Sequence, residues 1–224
     1  MKTILFDLDG TLVDSAGDIA ASINHVRRLL YGLGPLQIEE VAAILDGEER
    51  SIPHRLYGVA AYEPKAREIF EEHYTRQCRR NARVFEGVRE AIEALKGAGC
   101  ELYVCTNAPT ATSREVLRNN NILHHFADVI GADRVPRPKP APDALLQVRQ
   151  RARFPQMWMV GDSAKDMDAA RRAGIPSVFV TWGYSARAPR EVGAHRVAAR
   201  PGELAAILLH PDHPKPPKEN DDQP

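Results

Sequence analysis

The sequence predicts an α/β fold in which a doubly wound, Rossmann-like parallel sheet carries an inserted helical cap domain. Through most of the chain, short apolar segments typical of buried strands alternate with amphipathic segments of helical spacing. This alternation favours a parallel sheet covered by helices. A long stretch of helical patterns without a strand pattern interrupts it after the first strand. We therefore expect an α/β core of residues 1–14 and 84–209, a helical insert of residues 15–83, and a disordered tail of residues 210–224.

The predicted elements begin with a buried strand at residues 4–6, where the side chains are apolar. Apolar residues at steps of four and three then predict a helix over residues 19–33, which a segment containing glycine and proline closes. Further helical patterns in the insert cover residues 38–45, residues 52–57 and a longer segment after Pro64.

After the insert, helices and strands alternate as far as the tail. The predicted helices cover residues 88–96, 112–119, 143–151, 166–173 and 203–209. The predicted strands cover residues 101–105, 128–130, 157–160, 177–180 and 195–198. The tail has five prolines in fifteen residues and almost no apolar side chains, so it lacks the composition that a packed core requires.

Composition excludes several classes of protein. Lysine plus arginine equals aspartate plus glutamate, 30 against 30, so no net charge attracts nucleic acid or an acidic membrane surface. The three cysteines lack a metal-type spacing and fit a reducing compartment. The chain starts without a signal-peptide pattern, and no apolar run approaches the roughly 18 residues that span a bilayer. We expect a soluble, cytoplasmic protein without nucleic-acid or membrane partners; the sequence predicts no oligomeric state.

Two carboxylates, Asp7 and Asp9, directly follow the first predicted strand and precede Gly10. Side chains two residues apart on an extended chain point the same way, so both acids would project from the carboxyl end of the strand. Glycine lets the backbone turn sharply there. A surface turn also often contains Asp and Gly, but it would leave two like charges without a partner. A metal ion would resolve this repulsion.

Three further polar clusters occur in the α/β part of the chain. They are Thr106 with Asn107, Lys139 between two prolines, and a segment that contains Asp162 and Asp166. Each has an ordinary explanation as a helix cap, a solvated lysine or an acid at a helix N-terminus. In an open α/β sheet, however, ligands bind beyond the carboxyl ends of the strands. Together with the first two acids, these groups suit a phosphoryl group and Mg²⁺.

This set of side chains supports phosphoryl transfer, in which catalysis is mainly positioning and charge stabilisation. Asp7 would attack phosphorus and form an aspartyl-phosphate. Asp9 would protonate the leaving alkoxide and then deprotonate the hydrolytic water. Mg²⁺ and Lys139 would offset the negative charge, and Thr106 would hold phosphoryl oxygens together with backbone N–H groups.

The two remaining acids have supporting roles in this interpretation. Asp162 would complete the metal site begun by the first strand. Asp166 would orient either Lys139 or a water molecule of the metal's coordination shell.

These motifs, in this order, resemble those of the haloacid dehalogenase-like hydrolase superfamily. The matching segments are Asp7-x-Asp9-Gly-Thr, then Thr106, then Lys139, then Gly161-Asp162-Ser-x-x-Asp166. The resemblance extends over nearly the whole chain up to Leu209. It implies Mg²⁺ bound by the carboxylates of Asp7 and Asp162 and by the backbone carbonyl of Asp9.

A helical insert after the first strand resembles the branch that contains phosphoglycolate phosphatases and phosphosugar mutases. Gly87-Val88, Thr106-Asn107 and Lys139-Pro-x-Pro-Asp143 are most similar to phosphoglycolate phosphatase. The resemblance implies a Mg²⁺-dependent phosphatase for a small phosphorylated metabolite, with phosphoglycolate as first candidate. A phosphosugar mutase, or a regulatory module that retains the fold without turnover, is the alternative.

The loop that would reach the substrate departs from the family pattern. In the similar enzymes it is small and rich in glycine, whereas here it contains Glu48, Glu49 and Arg50. The two glutamates would repel a dianionic substrate with its own carboxylate unless Arg50 or Arg55 compensates, or unless they face solvent. We expect Arg50 to bind the substrate, together with Thr106, Asn107 and Lys139.

Overall fold

The computed structural model describes residues 1–47, 51–185 and 187–210. Over these residues the strands are β1 (Thr3–Phe6), β2 (Val13–Asp14), β3 (Arg83–Val84), β4 (Glu101–Cys105), β5 (Phe126–Ile130), β6 (Met157–Gly161), β7 (Ser177–Val180) and β8 (Arg196–Ala198). The helices are α1 (Ala16–Tyr31), α2 (Ile38–Leu45), α3 (Ile52–Tyr57), α4 (Pro64–Cys78), α5 (Val88–Gly97), α6 (Thr110–Asn119), α7 (Asp143–Arg149), α8 (Ala164–Ala173) and α9 (Glu203–Leu209).

Six strands form one parallel sheet in the order β5-β4-β1-β6-β7-β8. The first strand lies near its centre, with Phe6 opposite Val104 of β4 and Val160 of β6. The carboxyl ends of these three strands are therefore level. Because of this register, the loops that follow them begin at the same edge of the sheet.

Each face of the sheet packs against its own set of helices. On one face, alternate residues of the strands join apolar residues of α5, α6 and α9 in a single core cluster. On the other face, Leu5, Met159 and their neighbours pack on α7 and α8. The alternation of side chains along a strand explains how a continuous apolar run supplies both cores. The predicted doubly wound α/β fold is confirmed.

Helices α1 to α4 form a separate cluster, in which Ile23, Val26, Val41, Ile44 and Leu56 are buried together. We call residues 15–83 the helical insert. Its two connections to the core lie side by side, because β2 and β3 pair in an antiparallel ladder. Sequence analysis found no strand there, since a ladder of two residues is too short to show a period of two. That the insert is a distinct cap domain stays a prediction.

The ends of several elements differ from the predicted ones. α1 starts at Ala16 rather than residue 19 and ends before Gly32, which adopts a left-handed conformation with φ of 60°. Polar residues of the first turn carry no apolar periodicity, which explains the late predicted start. The predicted tail lies outside the described residues except for His210. No helix in the described part of the chain is long and apolar enough to cross a membrane.

Candidate active site

Three carboxylates meet at the carboxyl edge of the sheet. Oxygen atoms of Asp7, Asp162 and Asp166 all lie within 4.8 Å of one another. Asp7 follows β1, whereas Asp162 follows β6 and Asp166 lies in the first turn of α8. Because adjacent parallel strands end at the same level, Asp7 lies beside two acids that come more than 150 residues later in the sequence.

Lys139 lies between two of these acids and is only 3% exposed. Its Nζ is 2.7 Å from Oδ1 of Asp7 and 2.5 Å from Oδ1 of Asp166. The side chain of Asn107 fixes the lysine backbone: its Nδ2 donates to the Lys139 carbonyl at 2.8 Å, and the Lys139 N–H donates to its Oδ1 at 2.9 Å. These contacts favour a role for Asn107 in positioning Lys139. That Asn107 binds the substrate stays a prediction.

Asp166 has no exposed surface, and both of its oxygens are engaged. Oδ1 accepts from Lys139, and Oδ2 accepts from the Ser163 N–H at 3.1 Å and the Ser163 hydroxyl at 2.6 Å. The contact with the Ser163 N–H is half of a capping box at the start of α8. Of the two roles predicted for Asp166, these contacts favour the orientation of Lys139.

Asp162 is held by groups from two other loops. Its Oδ1 accepts from the Thr11 hydroxyl at 3.1 Å, and its Oδ2 accepts from the Tyr184 N–H at 2.8 Å. Two glycines make room for it: a Cβ on Gly10 would lie 2.3 Å from Asp162 Oδ2, and a Cβ on Gly183 would lie 2.3 Å from Asp162 Cβ. Real carbon atoms do not approach so closely, so both positions require glycine.

Asp9 stands apart from the group of three acids. Its Oδ1 accepts two short hydrogen bonds, one from the Ser15 hydroxyl at 2.5 Å and one from the Tyr74 hydroxyl at 2.6 Å. Its carboxylate is therefore tied to the first residue and the last long helix of the insert. This arrangement is compatible with the predicted acid–base role and with metal binding through the backbone carbonyl alone.

The electrostatics of the site leave negative charge uncompensated. Burial raises the pKa of Asp7 well above its ordinary value, and Asp166 adds to this while Lys139 opposes it. Burial, again with Asp166, raises the pKa of Asp162 to about 7. Burial alone would lower the pKa of Lys139, but Asp166 and Asp7 raise it above its ordinary value, so the lysine stays charged. One lysine facing three acids matches the donor set that a hard divalent cation requires.

The pKa of Asp9 is also raised, chiefly because the carboxyl is buried. The hydrogen bonds from Ser15 and Tyr74 act in the opposite direction because they stabilise the ionised form. A carboxyl with a raised pKa keeps its proton more readily than an ordinary aspartate, which suits a group that gives a proton to a leaving group.

A cavity of about 180 Å³ opens onto these groups. Thr106 lines it, with its side chain 3% exposed and its Oγ1 accepting from the Ala108 N–H at 3.0 Å. The insert contributes Ala42, Leu45 and Asp46 to the opposite wall. Glu48, Glu49 and Arg50, which lie between α2 and α3 in the sequence, are outside the described residues, so the assignment of Arg50 to the substrate stays a prediction.

From the sequence alone, several of the supporting residues received no site role, and it stayed open whether Tyr184 lines the cavity or only covers the sheet edge. Tyr74 belongs to the apolar face of a helix, where a tyrosine is ordinarily a core residue. Tyr184 lines the cavity, and its hydroxyl accepts from the Ala16 N–H at 2.9 Å, where the chain enters the insert. The segment around Tyr184 follows β7 at the same sheet edge, and this position is what could have indicated that Tyr184 belongs to the site.

Comparisons with known proteins agree with this geometry. The family model described as haloacid dehalogenase-like hydrolase matches residues 4–180. A phosphoglycolate phosphatase of Mesorhizobium japonicum is 34% identical over 225 residues, covering 93% of this chain and 91% of that protein. A phosphoglycolate phosphatase of Vibrio vulnificus is 33% identical over 195 residues, covering 83% of this chain and 86% of that protein.

Solved structures show the same architecture. A predicted phosphoglycolate phosphatase from Haemophilus somnus has a TM-score of 0.79 and 28% identity, covering 93% of this chain and 98% of that one. A candidate beta-phosphoglucomutase from Thermotoga maritima has a TM-score of 0.68 and 25% identity, covering 93% of this chain and 99% of that one.

Proposed function

Since this chain belongs to the haloacid dehalogenase-like hydrolases, we propose that its buried acidic site hydrolyses a small phosphate monoester through a phosphoryl group held on Asp7. The chain is a phosphoric monoester hydrolase, in line with its phosphoglycolate phosphatase relatives. One observation carries the mechanism: the buried Lys139 contacts Asp7 and Asp166, two of the three acids that lie close together at the sheet edge. No simple packing function explains so many buried charges.

The carboxylates of Asp7 and Asp162 and the backbone carbonyl of Asp9 would hold Mg²⁺. When bound, this ion would offset the negative charge of the phosphoryl oxygens. Support comes from the three clustered acids beside one lysine and from the raised pKa of Asp162, since a bound cation would offset the charge of the acids and stabilise their ionised form.

Asp7 would act as nucleophile. Lys139 engages its Oδ1, which leaves Oδ2 for attack on phosphorus. The new Oδ2–P bond forms as the ester P–O bond breaks, and Lys139 with Thr106 stabilises the charge on the phosphoryl oxygens.

Asp9 would move the protons. In the first step its carboxyl gives a proton to the departing alkoxide, so that an alcohol leaves. In the second step it takes a proton from the water that attacks phosphorus, which releases phosphate and restores the Asp7 carboxylate.

For the substrate, phosphoglycolate is the first candidate because relatives at 33–34% identity carry that name. A phosphosugar mutase is the second candidate, favoured by the likeness to the Thermotoga maritima structure. It would use the same first step but return the phosphoryl group to a substrate hydroxyl. The assembled acids and lysine argue against a module without turnover.

The test is a screen of phosphorylated metabolites with released phosphate as the readout. The panel contains phosphoglycolate, sugar phosphates, nucleoside monophosphates and pyrophosphate. We expect release from at least one small ester, loss of release after treatment with EDTA, and recovery with excess Mg²⁺. Release that survives chelation would contradict the metal site. Conversion between sugar phosphates that depends on a bisphosphate, with little free phosphate, would favour the mutase.

A further inference from the structure

Tyr74 connects the helical insert to the chemistry at the sheet edge. It lies in α4, is 3% exposed, and its ring stacks on Phe70 with centroids 5.5 Å apart. Its hydroxyl is 2.6 Å from Oδ1 of Asp9, although the two residues are 65 positions apart in sequence. The proposed reaction described above does not use this contact.

Oδ1 of Asp9 accepts a second hydrogen bond besides the one from Tyr74. The Ser15 hydroxyl also donates to Oδ1 of Asp9, at 2.5 Å. Two donors occupy the two lone pairs of a carboxylate oxygen. Proton exchange with the leaving group and with water would therefore take place at the other oxygen, Oδ2.

We propose that Tyr74 is a positioning residue that orients the Asp9 carboxyl for proton transfer. The inference rests on the acid–base role given to Asp9 under the proposed function. The terminal torsion of an aspartate is broad and roughly two-fold, so packing alone does not choose which oxygen faces a substrate. Two donors on Oδ1 make that choice, and both of them come from the insert. The insert thus orients a catalytic group that the core supplies.

The test compares wild type with Tyr74→Phe on two aryl phosphates. Phenyl phosphate has a poor leaving group that needs protonation, whereas 4-nitrophenyl phosphate has a good one that does not. We expect kcat/KM for phenyl phosphate, which reports phosphoryl transfer to Asp7 and not the later hydrolysis step, to fall about tenfold, a part of the 10²- to 10⁴-fold that general acid catalysis supplies. The kcat/KM for 4-nitrophenyl phosphate should change less than about twofold, because its first step needs no proton from Asp9.

Phenylalanine keeps the ring that packs on Phe70, so the variant retains the buried aromatic contact. Tyr57→Phe is the matched control, because Tyr57 is another buried tyrosine of the insert and stacks on Tyr31 at 5.3 Å. It should leave the ratio of the two kcat/KM values unchanged. Ser15→Ala removes the other donor to Oδ1 and should reproduce the selective loss.

An equal loss on both esters, or no loss, would overturn the inference and leave Tyr74 a packing residue. Asp9→Asn separates this result from failure of the proposed function. If Asp9→Asn is selective for phenyl phosphate and Tyr74→Phe is not, the inference alone is wrong. If Asp9→Asn reduces both kcat/KM values equally, the acid role of Asp9 in the first step and the inference fail together.

Discussion

The sheet edge and the helical insert contribute different kinds of group to one cavity. The sheet edge supplies buried charges in fixed contacts, with Lys139 held between Asp7 and Asp166. The insert supplies few groups, among them Leu45 and Asp46 on the cavity wall. Loops anchored by parallel strands hold atoms accurately, whereas a helical layer across the cavity adds shape and charge around the rest of a ligand.

We predict from this comparison that catalytic rate and substrate selectivity depend on different parts of the molecule. Changes at Asp7, Lys139 or Asp162 of the sheet edge should abolish turnover of every ester alike. Changes on the insert should alter which ester is preferred, or how a core residue is oriented, while the basic chemistry persists.

The largest effect should follow from Asp7→Asn. An amide is a far poorer nucleophile than a carboxylate, so we expect kcat for any substrate to fall by at least about 10³-fold. Far-UV circular dichroism should remain that of wild type. The matched control is Asp168→Asn, which changes an exposed acid paired with Arg171 on α8. Substantial activity in the first variant would remove Asp7 from the mechanism.

A steric change beside Asp162 should be nearly as damaging. In Gly183→Ala the new Cβ would lie 2.3 Å from Asp162 Cβ, so the carboxylate must move. We expect an activity loss of about 10²-fold, since small displacements at a catalytic site cost that much. Partial rescue by higher Mg²⁺ concentrations would show that metal affinity is affected.

Gly202→Ala is the control for this steric change, because a Cβ there meets nothing within 4 Å. It should have the activity of wild type. If Gly183→Ala is equally active, the close packing around Asp162 does not matter for catalysis.

The uncompensated negative charge at the sheet edge should also make the free energy of unfolding depend on pH. Asp162 has a pKa of about 7 in the folded chain against 3.8 ordinarily, so between these values the folded chain binds more protons than the unfolded one. Its contribution to the free energy of unfolding therefore falls as pH rises through this window.

We expect metal-free wild type to lose roughly 1–3 kcal/mol relative to Asp162→Asn between about pH 5 and pH 8. Urea unfolding of both proteins at several pH values measures this difference. Addition of Mg²⁺ at pH 8 should stabilise wild type but not the variant. A difference that is independent of pH would show that the Asp162 charge is already compensated.

Much of the fold could be predicted because its strands and helices have clear periodicity. The predicted limits of α2 and α3 coincide with the observed ones, and the predicted resemblance to the haloacid dehalogenase-like hydrolases is confirmed. The meeting of Asp7 and Asp162 could be anticipated from parallel strands alone, since loops after adjacent strands share an edge.

The contacts between the insert and the core could not be predicted. The hydrogen bond from Tyr74 to Asp9 depends on how α4 lies over the sheet edge, which is set by packing between distant segments. The anchoring of Tyr184 near Ala16 depends on a loop 168 residues away in sequence. Periodicity describes one element at a time, so it carries no information about such pairings.

The smallest predicted effect tests the insert as the source of selectivity. Asp46 lies on the cavity wall and accepts from the Ser185 hydroxyl at 2.8 Å, and asparagine can keep that bond. Loss of its charge should reduce repulsion of an ester that carries its own carboxylate. In Asp46→Asn we expect KM for phosphoglycolate to fall about threefold and KM for glycerol phosphate to stay constant. Glu39→Gln, on the first turn of α2, is the control for a charge change away from the cavity. A parallel fall in both KM values would mean that Asp46 limits access to the site rather than choosing among substrates.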